Sequence, residues 1–95
     1  METLRLDNKV NIPKDILFRE LEGEAVLLNL KTGIYFGLNP MGTRIWHLIQ
    51  KFGSLKPALS SLIAEFDVEP SRCEEDLRSL AASLYKSGLI RIVNA

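Results

Sequence analysis

Few residues in this chain have the side chains that catalysis or metal binding requires. The single histidine, His47, has neither a second histidine nor a cysteine at ligand spacing, so it cannot build a closed metal site. It reads as a surface or boundary residue. The single cysteine, Cys73, falls on the apolar stripe of a helix, where a buried and inert thiol is the default. A helix N-terminus can activate a thiol. Here, though, Glu74, Glu75 and Asp76 follow directly, and their charge would oppose a thiolate. The three acids fan out around a helix rather than converging, and in a first turn they oppose the helix dipole favourably. Gly33 and Gly37 do not feed a helix at phosphate-loop spacing. No catalytic residue, metal or cofactor is expected.

With no reactive constellation, function must lie in a surface, and the elements that build it can be read in order. Ile16 to Leu21 reads as a first strand, stopped by Glu22-Gly23. Glu24 to Leu30 reads as a second. Its apolar run Ala25–Leu28 predicts cover on both faces and a central position. Lys31-Thr32-Gly33 makes a hairpin loop, and Ile34 to Leu38 makes a third strand at the sheet edge. Ile34, Phe36 and Leu38 share one face of that strand, Tyr35 and Gly37 the other.

Asn39 and Pro40 then announce a helix, as N-cap and first helical residue. Met41, Ile45, Leu48, Ile49 and Phe52 follow helical spacing, Trp46 flanks them as a core residue, and Gly42 permits close helix–strand packing. Gly53 ends this helix. Ser54 caps a second, with Leu55, Ala58, Leu59, Leu62, Ile63 and Phe66 on its apolar face. Ser71 to Glu74 forms a capping box for a third, whose buried stripe is Cys73, Leu77, Leu80, Ala81 and Leu84 and whose C-terminus is Gly88. Residues 89–93 read as a short final strand. Residues 1–14 form a weakly patterned lead-in, in which Leu4 and Leu6, then Val10 and Ile12, alternate around an Asp7-Asn8 turn.

Three strands followed by three helices predict an α+β domain of winged helix-turn-helix type, with an N-terminal three-stranded antiparallel sheet and a three-helix bundle. Ninety-five residues bound this to one domain. Twelve basic and twelve acidic residues balance, which argues against a phosphate-backbone partner. The longest apolar run is four residues, so a membrane span is not expected, and the lack of a signal-peptide pattern points to the cytoplasm.

The run LLNLKTGIYFGLN, followed by Gly42, Arg44-Ile45-Trp46 and Leu48, resembles the PqqD family, the pyrroloquinoline quinone synthesis protein D-like chains. Asp76-Leu77, Leu80, Leu84 and Gly88-Leu89-Ile90 fit the terminal helix of that family, so the resemblance runs from about Asp15 to Ile90. It implies a non-catalytic peptide chaperone (a RiPP recognition element) that captures the leader peptide of a ribosomally made precursor and presents it to a modifying enzyme. That enzyme would be a radical SAM protein, as in PQQ biosynthesis, or a leader peptidase. The leader would add as a strand along the third strand, which agrees with the independent reading of that strand as an edge.

Mapped onto this chain, the backbone of Ile34, Tyr35, Phe36, Gly37 and Leu38 would supply the ladder. Asp76, Leu80 and Ser83 of the third helix would wall the groove, with Leu77 or Leu84 beneath. Phe36, Leu38, Leu77, Leu80 and Leu84 can equally be plain core. A free edge also permits self-pairing into a homodimer. Two other functions compete: DNA binding by the helix-turn-helix, disfavoured by the acids at the start of its recognition helix, and a bare scaffold. The particular precursor and pathway are not encoded in any motif.

Overall fold

The structure, a computed structural model, describes residues 5–93. Eight elements follow in order: β1 (Lys9–Asn11), β2 (Ile16–Leu21), β3 (Glu24–Asn29), β4 (Ile34–Leu38), α1 (Pro40–Phe52), α2 (Leu55–Glu65), α3 (Pro70–Lys86) and β5 (Arg91–Val93). The principal sheet is an antiparallel meander in the order β2-β3-β4, and three helices follow it, as the pattern of the sequence requires. Leu4 lies outside the described residues.

β2 turns into β3 through Glu22 and Gly23, which both carry positive φ, 55° and 81°. This is the backbone of a two-residue hairpin whose twist matches its strands. β3 is the central strand, but only one of its faces is covered. Ala25, Leu27 and Asn29 are buried, whereas Val26 on the opposite face is 45% exposed. The expected cover on both faces is therefore corrected, because a short apolar run does not reveal how many layers pack on it. β3 also stops at Asn29 rather than Leu30, since Asn29 Oδ1 accepts hydrogen bonds from the amides of Lys31 (2.9 Å) and Thr32 (3.2 Å) and turns the chain early.

α1 begins as expected. Asn39 Oδ1 accepts from the Gly42 amide at 2.8 Å, Pro40 occupies the first turn, and Gly53 closes the helix in the left-handed conformation. A Cβ at Gly42 would lie 3.2 Å from Leu38 Cδ2, so the helix start sits directly against the end of β4. Trp46 is 1% exposed and stacks on Phe18 of β2, with 6.4 Å between ring centroids. His47 lies at the boundary, with Nε2 2.7 Å from Glu20 Oε1 and its ring edge-on to Phe18. Phe52 leaves the buried stripe and is exposed, with the Lys51 ammonium 5.4 Å from its ring centre.

The α2 start falls where expected but without its capping bond, and the α3 start differs from the sequence reading. Ser54 occupies the N-cap of α2, but its side chain makes no capping bond. α3 starts at Pro70 with Glu69 as N-cap, so no capping box forms from Ser71 to Glu74. The Ser71 hydroxyl instead donates to Glu69 Oε1 at 2.5 Å. The proline ring, with φ already helical and no N–H to satisfy, sets the start two residues earlier, with the N-cap at Glu69 rather than Ser71. The end of α3 is as expected: the amides of Gly88 and Leu89 donate to Tyr85 and Leu84 carbonyls, a Schellman closure with Gly88 at φ 74°.

Past that closure Leu89 and Ile90 are buried, and the chain continues as β5, which pairs with β1 (Lys9↔Val93, Val10↔Ile92, Asn11↔Arg91). The lead-in and the tail thus complete one another in a separate two-stranded sheet. The core lies between the inner sheet face and the helices, around Leu27, Leu48, Ile49, Leu55, Leu62, Leu77 and Leu84. Among the described residues, no helix is long and apolar enough to cross a membrane.

Candidate functional site: the outer edge of β4

The direction of each backbone group in the meander follows from its first turn. A two-residue hairpin leaves Leu21 and Glu24 as a mutually hydrogen-bonded pair. By alternation, Glu24, Val26 and Leu28 turn their N–H and C=O groups toward β2, and Ala25, Leu27 and Asn29 turn theirs toward β4. The Leu30 amide, which donates to the Asp15 carbonyl at 2.8 Å, continues the β2-facing row. In β4, Ile34, Phe36 and Leu38 stand opposite Asn29, Leu27 and Ala25 and are bonded inward. Tyr35 and Gly37 therefore point their backbone donors and acceptors away from the sheet. Among the described residues β4 pairs only with β3, and neither β1 nor β5 covers its rim.

Beside this rim lies a cavity of about 340 Å³, between Gly37 and Leu38 at the end of β4, Met41 and Ile45 of α1, and Asp76 and Leu80 of α3. Met41, Ile45 and Asp76 also line a second, mostly apolar cavity of about 190 Å³ that reaches Leu62, Val68 and Cys73. Burial raises the Cys73 thiol above its ordinary pKa, and the neighbouring Asp76 charge adds to the effect, so this thiol is not an activated nucleophile. Among the described residues, no group of three or more His, Cys, Asp or Glu could hold a metal ion.

The expected site residues separate into three sets. Ile34, Tyr35 and Gly37 are exposed and Phe36 is half-buried, while Leu38 is buried at the cavity end of the strand. Asp76 and Leu80 line the cavity, and Ser83 is exposed farther along α3, outside that lining. Leu77 and Leu84 are fully buried beneath the helix. Met41, Ile45 and Arg72 also line these cavities and were not expected there. The α1 stripe signalled Met41 and Ile45 only as core, because helical period does not distinguish a packed side from one that borders a groove.

A sheet with one open rim beside a helical wall is the layout of a domain able to accept an added strand. The family model for coenzyme PQQ synthesis protein D (PqqD) matches residues 24–90, and the chain belongs to that family. Among solved structures, it is similar to TbiB1 in complex with the TbiA(beta) leader peptide. The two share 31% sequence identity with a TM-score of 0.80, over 88% of this chain and 98% of that one. The fold is also that of lasso peptide synthetase B1 complexed with the leader peptide, at 22% identity and a TM-score of 0.67, over 87% of this chain and 98% of the other. No curated protein matches the chain.

Proposed function

We propose that this chain is a non-catalytic recognition element that captures the leader of a ribosomally made precursor peptide and presents it to a tailoring enzyme, a radical SAM protein or a leader peptidase. The whole chain acts as one unit, and the leader adds to the outer edge of β4 as a fourth antiparallel strand. The observation that carries this reading is the unpaired rim of Tyr35 and Gly37 beside the cavity of Leu38, Met41, Ile45, Asp76 and Leu80. The likeness to TbiB1, described with a leader peptide bound, supports it. In this reading the backbone of Ile34 to Leu38 forms the ladder, Asp76, Leu80 and Ser83 flank the peptide, and Leu77 and Leu84 hold α3 in place from beneath.

DNA binding by α2 and α3 has no observation in its favour. The exposed start of α3 carries Glu69, Glu75 and Asp76, which repel phosphate. The test is titration of ¹⁵N-labelled protein with a synthetic leader of the precursor encoded beside the chain's gene. Shifts concentrated at 34–38 and 72–84 are the expected result. Shifts confined to α2, or no binding, would sink the proposal.

A further inference from the structure

Gly37 is the fourth of the five residues of the edge strand, and neither its backbone angle nor its surroundings call for glycine. Its φ is not in the left-handed range, and a Cβ built on it meets nothing within 4 Å. Glycine inside a strand forfeits packing and conformational restriction, and commonly marks a place where another group approaches the backbone. On the outer sheet face the register aligns Arg19, Val26 and Gly37 in one row, and Tyr35 follows two residues before Gly37 on the same face. An open depression of about 980 Å³ lies there, with Val26, Gly37, Leu21 and Pro40 in its lining together with Arg19 and three glutamates, Glu20, Glu22 and Glu24.

We infer that this depression is a second subsite for the same guest peptide, taking one large apolar or aromatic side chain that lies over Gly37. This deepens the strand-addition reading and rests on it. An antiparallel guest exchanges hydrogen bonds with Gly37, so the guest residue opposite it carries its side chain to the outer face. The bare Gly37 backbone lets that side chain reach across to Val26, with Tyr35 on one side and Pro40 on the other. An aromatic ring covering an edge glycine is a known way to pin a register. The neighbouring guest residues, opposite Phe36 and Leu38, point inward to the cavity beside Leu80. The guest is thereby read on both faces, and the outer contact selects one register among those the backbone ladder would accept equally.

The experiment is selection of a displayed library of random peptides on the full chain and on its Gly37→Val variant. Valine keeps the backbone N–H and puts a branched side chain in the open space over position 37, where the guest side chain would lie. Bound peptides are aligned by their amide shifts at 34–38. The wild-type chain is expected to enrich Trp, Tyr, Phe, Leu or Met at the position opposite Gly37. Replacing that guest residue by alanine should weaken binding roughly tenfold or more. Gly37→Val should lose the preference and bind the selected peptide and its alanine variant with equal affinity. If both chains select the same residues at that position, the outer subsite is overturned while strand addition stands. If the wild type enriches no peptide that shifts 34–38, both fall together.

Discussion

Asn29 Nδ2 donates to the Gly88 carbonyl at 3.2 Å, which fastens the β3–β4 hairpin to the C-terminus of α3. The two sides of the proposed groove are thus joined at one end by a single amide, which also holds the Lys31 and Thr32 amides through its oxygen. Asn29 is 6% exposed, so its removal strands several polar groups away from water. Asn29→Ala is expected to lower stability by about 1–3 kcal/mol in urea denaturation. Asn29→Asp keeps the oxygen but not the donor, and its peptide affinity should fall along with the tie to α3.

Backbone direction in β4 separates two proline variants. Gly37→Pro removes an amide that points away from the sheet, so the protein should stay folded by circular dichroism while peptide binding is lost. Phe36→Pro removes an amide bonded to β3 and should unfold the hairpin. A folded Gly37→Pro chain with unchanged affinity would disprove the register.

At the junction of β4 and α1, the Asn39 cap meets one otherwise orphaned helical amide. Asn39→Ala is expected to cost about 1 kcal/mol, whereas Asn39→Asp should hold or slightly raise stability because a negative charge suits that helix end. Thermal unfolding of the three proteins side by side measures both effects.

Cys73 offers a reporter inside the groove. Its raised pKa leaves little thiolate at pH 8, so labelling by a disulfide reagent should be slower than for a free cysteine. Asp76→Asn removes the secondary cause and should speed labelling modestly. Bound leader should slow it further if the peptide covers the cavity that Cys73 and Asp76 share.

The Arg44 guanidinium, hydrogen-bonded to Glu65, holds that carboxyl below its ordinary pKa and links α1 to α2. Stability from this pair is present above the ordinary carboxylate range and lost as pH falls through the lowered value. The effect is small, since both side chains are more than a third exposed. Arg44→Gln should return the Glu65 titration toward its ordinary position in a carboxyl-detected NMR series.

Much of the fold was legible because its boundaries carry local chemistry. Asn39-Pro40, Gly53 and Gly88 each serve at a helix end as their residue types require. The pairing of β1 with β5 was not legible. Each strand has three residues, too few to show a period, and their partners lie at opposite ends of the sequence. The start of α3 was misplaced because Ser71 and Glu74 mimic a capping box that Pro70 pre-empts. Within the site, the edge strand could be read from the meander. The groove beside it was implied only by the family resemblance, through Asp76 and Leu80, because nothing in the spacing of Met41, Ile45 and Leu80 tells a half-filled contact from a tight one.

The pairing of Lys9 with Val93 gives the molecule a practical handle. Chain joined before one or after the other leaves from the same small ribbon, and neither strand of that ribbon is a sheet neighbour of β4. A dye or a surface tether attached to that ribbon would load a sheet other than the one that carries the rim, which leaves the pairing of β2, β3 and β4 untouched.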